Sequence, residues 1–230
     1  MTLDAVAWDA LRLSVWVAVW ATVIAVPLAL WVAWILARWE FRGKSVLNAL
    51  VHLPLVLPPV VTGYVLLVLF SPSAPAGAAL ATIGLTLAFK WTGAVLAAIV
   101  MGFPLMVRAM RLAIEAVDPK LEEAAGTLGA ARAQVFARVT LPLIAPGILA
   151  GAVMGFAKAM GEFGATITFV ANIPGQTQTL PIAIWTALQI PGGEGAAAAM
   201  ALLSCAVAFG AIFASEALAR RVATRIGGAQ

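Results

Sequence analysis

The sequence predicts an all-α protein that crosses a membrane several times as a single domain, residues 1–230. Three observations carry that reading. Mean hydropathy is +1.03 and 63% of the residues are hydrophobic. Charged residues make up 10% of the chain, where soluble domains carry about 25%. The charges that remain gather between long apolar runs: nine of the 24 lie in Arg108–Pro142 alone. No polar module is long enough for a nucleotide-binding or catalytic domain, so energy must come from an ion gradient or another subunit. The net charge of +4 sits in short loops, which points to orientation across a bilayer and not to nucleic acid.

Leu13–Ala37 is the first span, 25 positions without a charge where roughly 20 suffice. Met1–Asp9 carries Asp4 and Asp9 and no basic residue, unlike a secretory signal, so this segment is expected to stay in the mature protein. Pro27 is expected to kink it. Arg38, Arg42 and Lys44 outweigh Glu40 in the next loop, which places that loop in the cytoplasm and the N terminus outside. The second span, 46–70, holds Pro54, Pro58 and Pro59, which remove backbone hydrogen bonds and must break or bend the helix. Such a break suits a wall or gate element, or a kink made for packing alone. Ser71–Thr82 reads as an outer loop of small residues.

The third span is 84–107, with Lys90 near its outer end and Arg108 and Arg111 as inner anchors. The fourth, 143–170, exceeds the bilayer thickness and carries Lys158 and Glu162, four apart on one helical face, in the less favourable order for an isolated helix. Charges at that depth face protein or a water-filled path. Asn172, Pro174, Gly175, Gln176 and Gln178 form an outer loop. The apolar run 180–190 is too short to cross and is expected to be an external helix. The fifth span, 196–216, leaves a basic cytoplasmic tail with Arg220, Arg221 and Arg225. Gly151, Gly155 and Ala159 form a small-residue ridge for packing within a subunit or across a dimer.

Site chemistry of the usual kinds is sparse. Cys205 is the lone cysteine and His52 the lone histidine, which excludes an intrachain disulfide and argues against a metal or cofactor held by this chain. Cys205 is expected to pack in the last helix. No serine has a recognisable catalytic partner. Arg42-Gly43-Lys44-Ser45 lacks the preceding glycines of a phosphate-binding loop.

The segment 108–142 is more than a connector. Leu121, Ala125 and Leu128, then Val135, Phe136 and Val139, recur at helical spacings around Gly126 and Gly129. Glu123-Ala124-Ala125, then Gly129, Val139, Leu141 and Pro142 follow the spacing E-A-A-x3-G-x9-hydrophobic-x-L-P. That pattern resembles the cytoplasmic docking motif of the membrane subunits of bacterial ABC importers. The resemblance extends over nearly all of the chain, through LPLVLPPVVTGYVLL and Gly161-Glu162-Phe163-Gly164-Ala165-Thr166, to the molybdate, tungstate and sulfate branch of those permeases.

The resemblance implies a type I ABC importer transmembrane domain with five spans, cytoplasmic coupling helices and a short external helix, in the bacterial inner membrane. It implies a homodimer, two cytoplasmic ATPase subunits that hold ATP and Mg2+, and an extracytoplasmic binding protein that delivers molybdate, tungstate or sulfate/thiosulfate. Coupling to the ATPase falls to Glu122, Glu123, Ala124, Ala125, Gly129, Phe136, Val139, Leu141 and Pro142, with Glu123 hydrogen-bonded at the join of two short helices and the hydrophobic positions as a knob. Pro58, Pro59, Thr62, Gly63, Lys158, Glu162 and Thr166 are the candidates for the path or its gate, Lys158 either attracting the anion or neutralising Glu162. Hydropathy alone would also admit a non-transporting scaffold or insertion factor, or a secondary transporter.

Overall fold

The computed structural model describes residues 3–227, and the side chains of Arg220, Arg221 and Arg225 lie outside what it describes. Four helices are long and apolar enough to cross a membrane, and a bent pair brings the number of candidate spans to five among the described residues. The first long helix, α1 (Leu3–Arg38), continues through Pro27. The bent pair is α2 (Lys44–Val56) and α3 (Pro59–Phe70). A short helix α4 (Pro75–Thr82) precedes α5 (Trp91–Glu115). Then come α6 (Pro119–Thr127), α7 (Arg132–Val135) and one π turn (Phe136–Thr140), which runs directly into α8 (Leu141–Met160). The chain closes with α9 (Gly164–Val170), α10 (Leu180–Leu188) and α11 (Glu194–Gly227).

The centre of the bundle is α1, α5 and α8. Ala18, Ala21, Ala25, Ala29 and Ala33 make a fully buried stripe along α1, and their small side chains let α5 approach closely. One half of the core joins Val17, Ala18 and Ala21 to Ala94, Ala98, Met101, Met160 and Phe169. The other joins Ala29, Ala33 and Leu36 to Met106, Met110, Ile114 and Ile144. The ridge of Gly151, Gly155 and Ala159 packs inside the subunit: a Cβ on Gly155 would stand 1.7 Å from Met106 Cε, and one on Gly151 would stand 3.2 Å from Met106 O. α10 docks between α1 and α11 through Leu180, Ala183, Ala187, Ala197 and Met200, beside Ala10 and Leu11.

Several expected boundaries move. The break expected in the second span is a 114° bend between α2 and α3, with Pro54 kept inside α2, because Pro58 and Pro59 together deny the next turn two amide donors. Residues 71–82 are not all loop, since Pro75 at the first turn starts α4. The third span, α5, begins at Trp91 instead of residue 84. Thr92 Oγ1 donates to Thr86 O at 2.6 Å, and a Cβ on Gly93 would lie 2.1 Å from Leu87 O, so the segment before it folds back on the helix start. α5 also continues to Glu115, which removes Arg108 and Arg111 from the connector; Arg111 Nε pairs with Glu115 at 2.7 Å and its Nη1 donates to Asn48 Oδ1 at 3.2 Å. The fourth span stops at Met160 and resumes as α9. Cys205 is exposed on α11 and not packed inward.

Candidate functional site

Two groups of residues stand at opposite ends of α8. At its start, Asp118 caps α6 by accepting from Lys120 N at 3.0 Å, with Pro119 at the first helical position. Gly129, at φ +88°, turns the chain after α6 through a left-handed conformation that suits glycine. Gln134 Oε1 accepts from Ala131 N at 3.1 Å and starts α7. The π turn then inserts Phe136–Thr140 before α8.

These local choices place the coupling candidates as follows. Glu122 Oε1 accepts from Thr140 Oγ1 at 2.6 Å and from Arg38 Nη2 at 3.1 Å. The hydrogen bond at the join is therefore made by Glu122, while Glu123 is exposed with no side-chain partner among the described residues. Phe136 meets Trp34 edge-on at 5.1 Å, and Leu141 packs against the core, with Val139 and Pro142 half-buried. The large apolar side chains left outward from α6 to the π turn are Leu121 and Leu128, the latter 88% exposed. Leu128 thus stands away from the bundle beside the tight turn at Gly129, whereas Phe136 and Leu141 face inward. A cavity of about 400 Å³ lies between, lined by Trp34, Glu122, Glu123, Arg132, Phe136 and Thr140.

At the far end of α8 the helix breaks at Gly161–Phe163. Gly161 N and Glu162 N close on Ala157 O and Ala159 O at 3.2 and 3.3 Å. Glu162, 2% exposed, accepts from Lys158 Nζ at 2.5 Å through Oε2 and from Ala165 N at 2.9 Å through Oε1. The break explains the order of the charges: Lys158 stands in the last turn of α8, where carbonyls favour a cation, and Glu162 stands before α9, where amides favour an anion.

The proline-broken helix meets this break. A Cβ on Gly63 would lie 2.5 Å from Ala165 O and 2.9 Å from Thr168 Cβ, and one on Gly164 would lie 2.8 Å from Pro59 Cβ. Thr166 is buried, and Thr62, 6% exposed, has a hydroxyl with no partner among the described residues. Pro58 and Pro59 stay exposed at the start of α3. The seven path candidates, scattered over a hundred positions, therefore occupy one junction of α3, α8 and α9. Thr168, which also lies against Gly63, donates its hydroxyl to Gly164 O, and Thr186 donates to Ile182 O, at 2.8 Å each. His52 is likewise held to Asn48 O at 2.8 Å, and no cluster of three metal-ligating side chains occurs among the described residues. Arg38, Trp34 and Thr140 were not legible from the sequence, since Arg38 lies 84 positions from Glu122, Thr140 lies 18 from it, and Trp34 meets Phe136 on a distant segment.

Residues 25–224 match the family described as the binding-protein-dependent transport system inner membrane component. The chain belongs to that family. It is 53% identical over 221 residues to the molybdenum transport system permease protein ModB of Escherichia coli K12, covering 96% of each chain. It is 49% identical to the ModB of Haemophilus influenzae, covering 95% and 96%, and 36% identical to the sulfate transport system permease protein CysT of Salmonella typhimurium, covering 85% and 70%. The fold is that of an alginate-importing bacterial ABC transporter, with TM-score 0.73 at 20% identity over 93% of this chain and 78% of that one. It is also that of the MetNI methionine ABC transporter in an inward-facing form, with TM-score 0.67 at 16% identity over 96% and 95%. As a member of this family the chain is a multi-pass inner-membrane permease of an ABC importer, within the molybdate and sulfate branch, and it works with separate ATPase subunits and a binding protein.

Proposed function

We propose that this chain is the permease of a molybdate importer, acting as a homodimer whose two copies enclose the translocation path. The observation that carries the substrate is the full-length likeness to two molybdenum permeases, closer than the likeness to the sulfate permease. The ATPase docks on α6 and α7, where Leu121 and Leu128 stand exposed and Glu123 is uncommitted. The N terminus lies outside and the C terminus in the cytoplasm, as the basic residues Arg38, Arg42, Lys44, Arg108 and Arg111 at one end favour.

The junction of α3, α8 and α9 works as the gate. Its Lys158–Glu162 pair is neutral as a unit, so it does not hold a tetrahedral dianion, and release can follow entry. ATPase closure moves the docking helices, and α8 carries that motion to the gate as a rigid body. Labelled molybdate uptake into proteoliposomes holding the chain, its ATPase and its binding protein tests the reading. Uptake displaced by tungstate and less by sulfate is expected. Uptake of sulfate in preference would move the chain to the sulfate reading, and binding of neither subunit would leave the scaffold reading.

A further inference from the structure

The polar contacts of α6 with the transmembrane bundle converge on one carboxylate. Glu122 is about three-quarters buried, and its Oε1 is shared by Arg38 Nη2 from the end of α1 at 3.1 Å and by Thr140 Oγ1 from the π turn at 2.6 Å. Thr140 is itself 1% exposed. The guanidinium of Arg38 lies 5.6 Å over the Trp34 ring, and Trp34 packs edge-on against Phe136 at 5.1 Å. Arg38 Nε is buried without a partner among the described residues, and Glu122 and the Trp34 face hold this cation in place. The ring of contacts closes: α1 to α6 through Arg38–Glu122, α6 to the π turn through Glu122–Thr140, and the π turn back to α1 through Phe136–Trp34.

We infer that Glu122, Arg38 and Thr140 form an internal strut that positions the docking helix on the start of α8, and that Glu122 faces the bundle instead of the ATPase. Deepening the proposed coupling role, this rests on that reading for its functional consequence. The physical reason is directional. A charge-assisted hydrogen bond to a part-buried carboxylate is short and oriented, and among the described residues the exposed Lys120, Leu121 and Glu123 of α6 make no such contact with the bundle. Displacement of α6 therefore pulls on Thr140, one residue before α8, and on the end of α1 together. α8 then spans about 27 Å from Thr140 to Lys158 at 1.5 Å per residue.

Hydrogen exchange of the permease alone, in nanodiscs, reads the strut without any partner. Arg38→Ala and Thr140→Val are expected to speed exchange of α6 amides at least tenfold, with α5 and α8 unchanged, and Thr140→Ser is expected to restore protection. Unaltered α6 protection in both variants overturns the strut. In the reconstituted complex, the same two variants are expected to keep the ATPase bound within twofold while molybdate moved per ATP falls at least fivefold. Loss of ATPase binding in Glu122→Ala, with Arg38→Ala and Thr140→Val wild-type in binding and in transport, would place Glu122 on the partner surface and sink the inference. A wild-type complex that fails to assemble would count against the docking reading, and the exchange result would still decide the strut.

Discussion

Lys158 Nζ lies 2.5 Å from Glu162 Oε2 across the break between α8 and α9, and the same carboxylate takes the amide of Ala165. One side chain thus ties the end of the long helix to the short helix that packs on α3. Glu162 is buried to 2% exposure while Lys158 keeps 29%, so the carboxylate depends on its partner more than the ammonium does.

Lys158→Met leaves a buried carboxylate unpaired and is expected to destabilise the permease by about 3–5 kcal/mol. Adding Glu162→Gln should recover most of that loss, since the neutral amide still accepts from Ala165. Thermal unfolding in detergent checks both. Full stability in Lys158→Met with transport lost would instead assign the lysine to the anion.

Gly63→Ala places a methyl group against Ala165 O and Cα, at 2.5 and 2.9 Å. Both are backbone atoms, so α3 must move away from α9 at a cost of about 1–3 kcal/mol. Lower thermal stability and reduced molybdate uptake are expected. The equivalent change at Gly126, where a Cβ meets nothing within 4 Å, should be nearly silent in stability.

Leu128→Asp changes a side chain that the subunit itself barely touches. Thermal stability of the isolated permease should hold within about 0.5 kcal/mol, as at other surface positions. Co-purification of the ATPase should drop at least tenfold. Retained co-purification would move the docking face elsewhere on the segment.

Gly129→Val puts a β-branched residue at φ +88°, where strain costs about 1–2 kcal/mol whatever the space around it. α6 should exchange amide protons faster, and the ATPase should bind less tightly. Gly129→Asn, which tolerates this conformation better, should fall between.

The spans were legible because a bilayer demands length and apolarity, and both are properties of the local sequence. The triple-proline stretch gave away the break between α2 and α3 for the same reason: proline acts on its own backbone. The break at Gly161–Phe163 was hidden inside an apolar run whose one proline, Pro146, lies far from it, and the misfit of Lys158 before Glu162 in a continuous helix was a local sign. α4 was missed because a run of small residues reads as loop unless Pro75 is weighed as a first-turn residue. Glu122 and Glu123 are indistinguishable in sequence; only the placement of Arg38, 84 positions away, and of Thr140 decides which faces inward. The alanine stripe of α1 looked like bulk hydrophobicity until α5 was seen against it.

Coupled import requires this chain to join an external substrate signal to ATP hydrolysis on another subunit. The ATPase rate of the reconstituted complex, with and without molybdate-loaded binding protein on the outside, tests it most directly. A severalfold rise with loaded binding protein is expected, and its disappearance in Arg38→Ala and Thr140→Val. Equal hydrolysis with and without the loaded protein in the wild-type complex would contradict it.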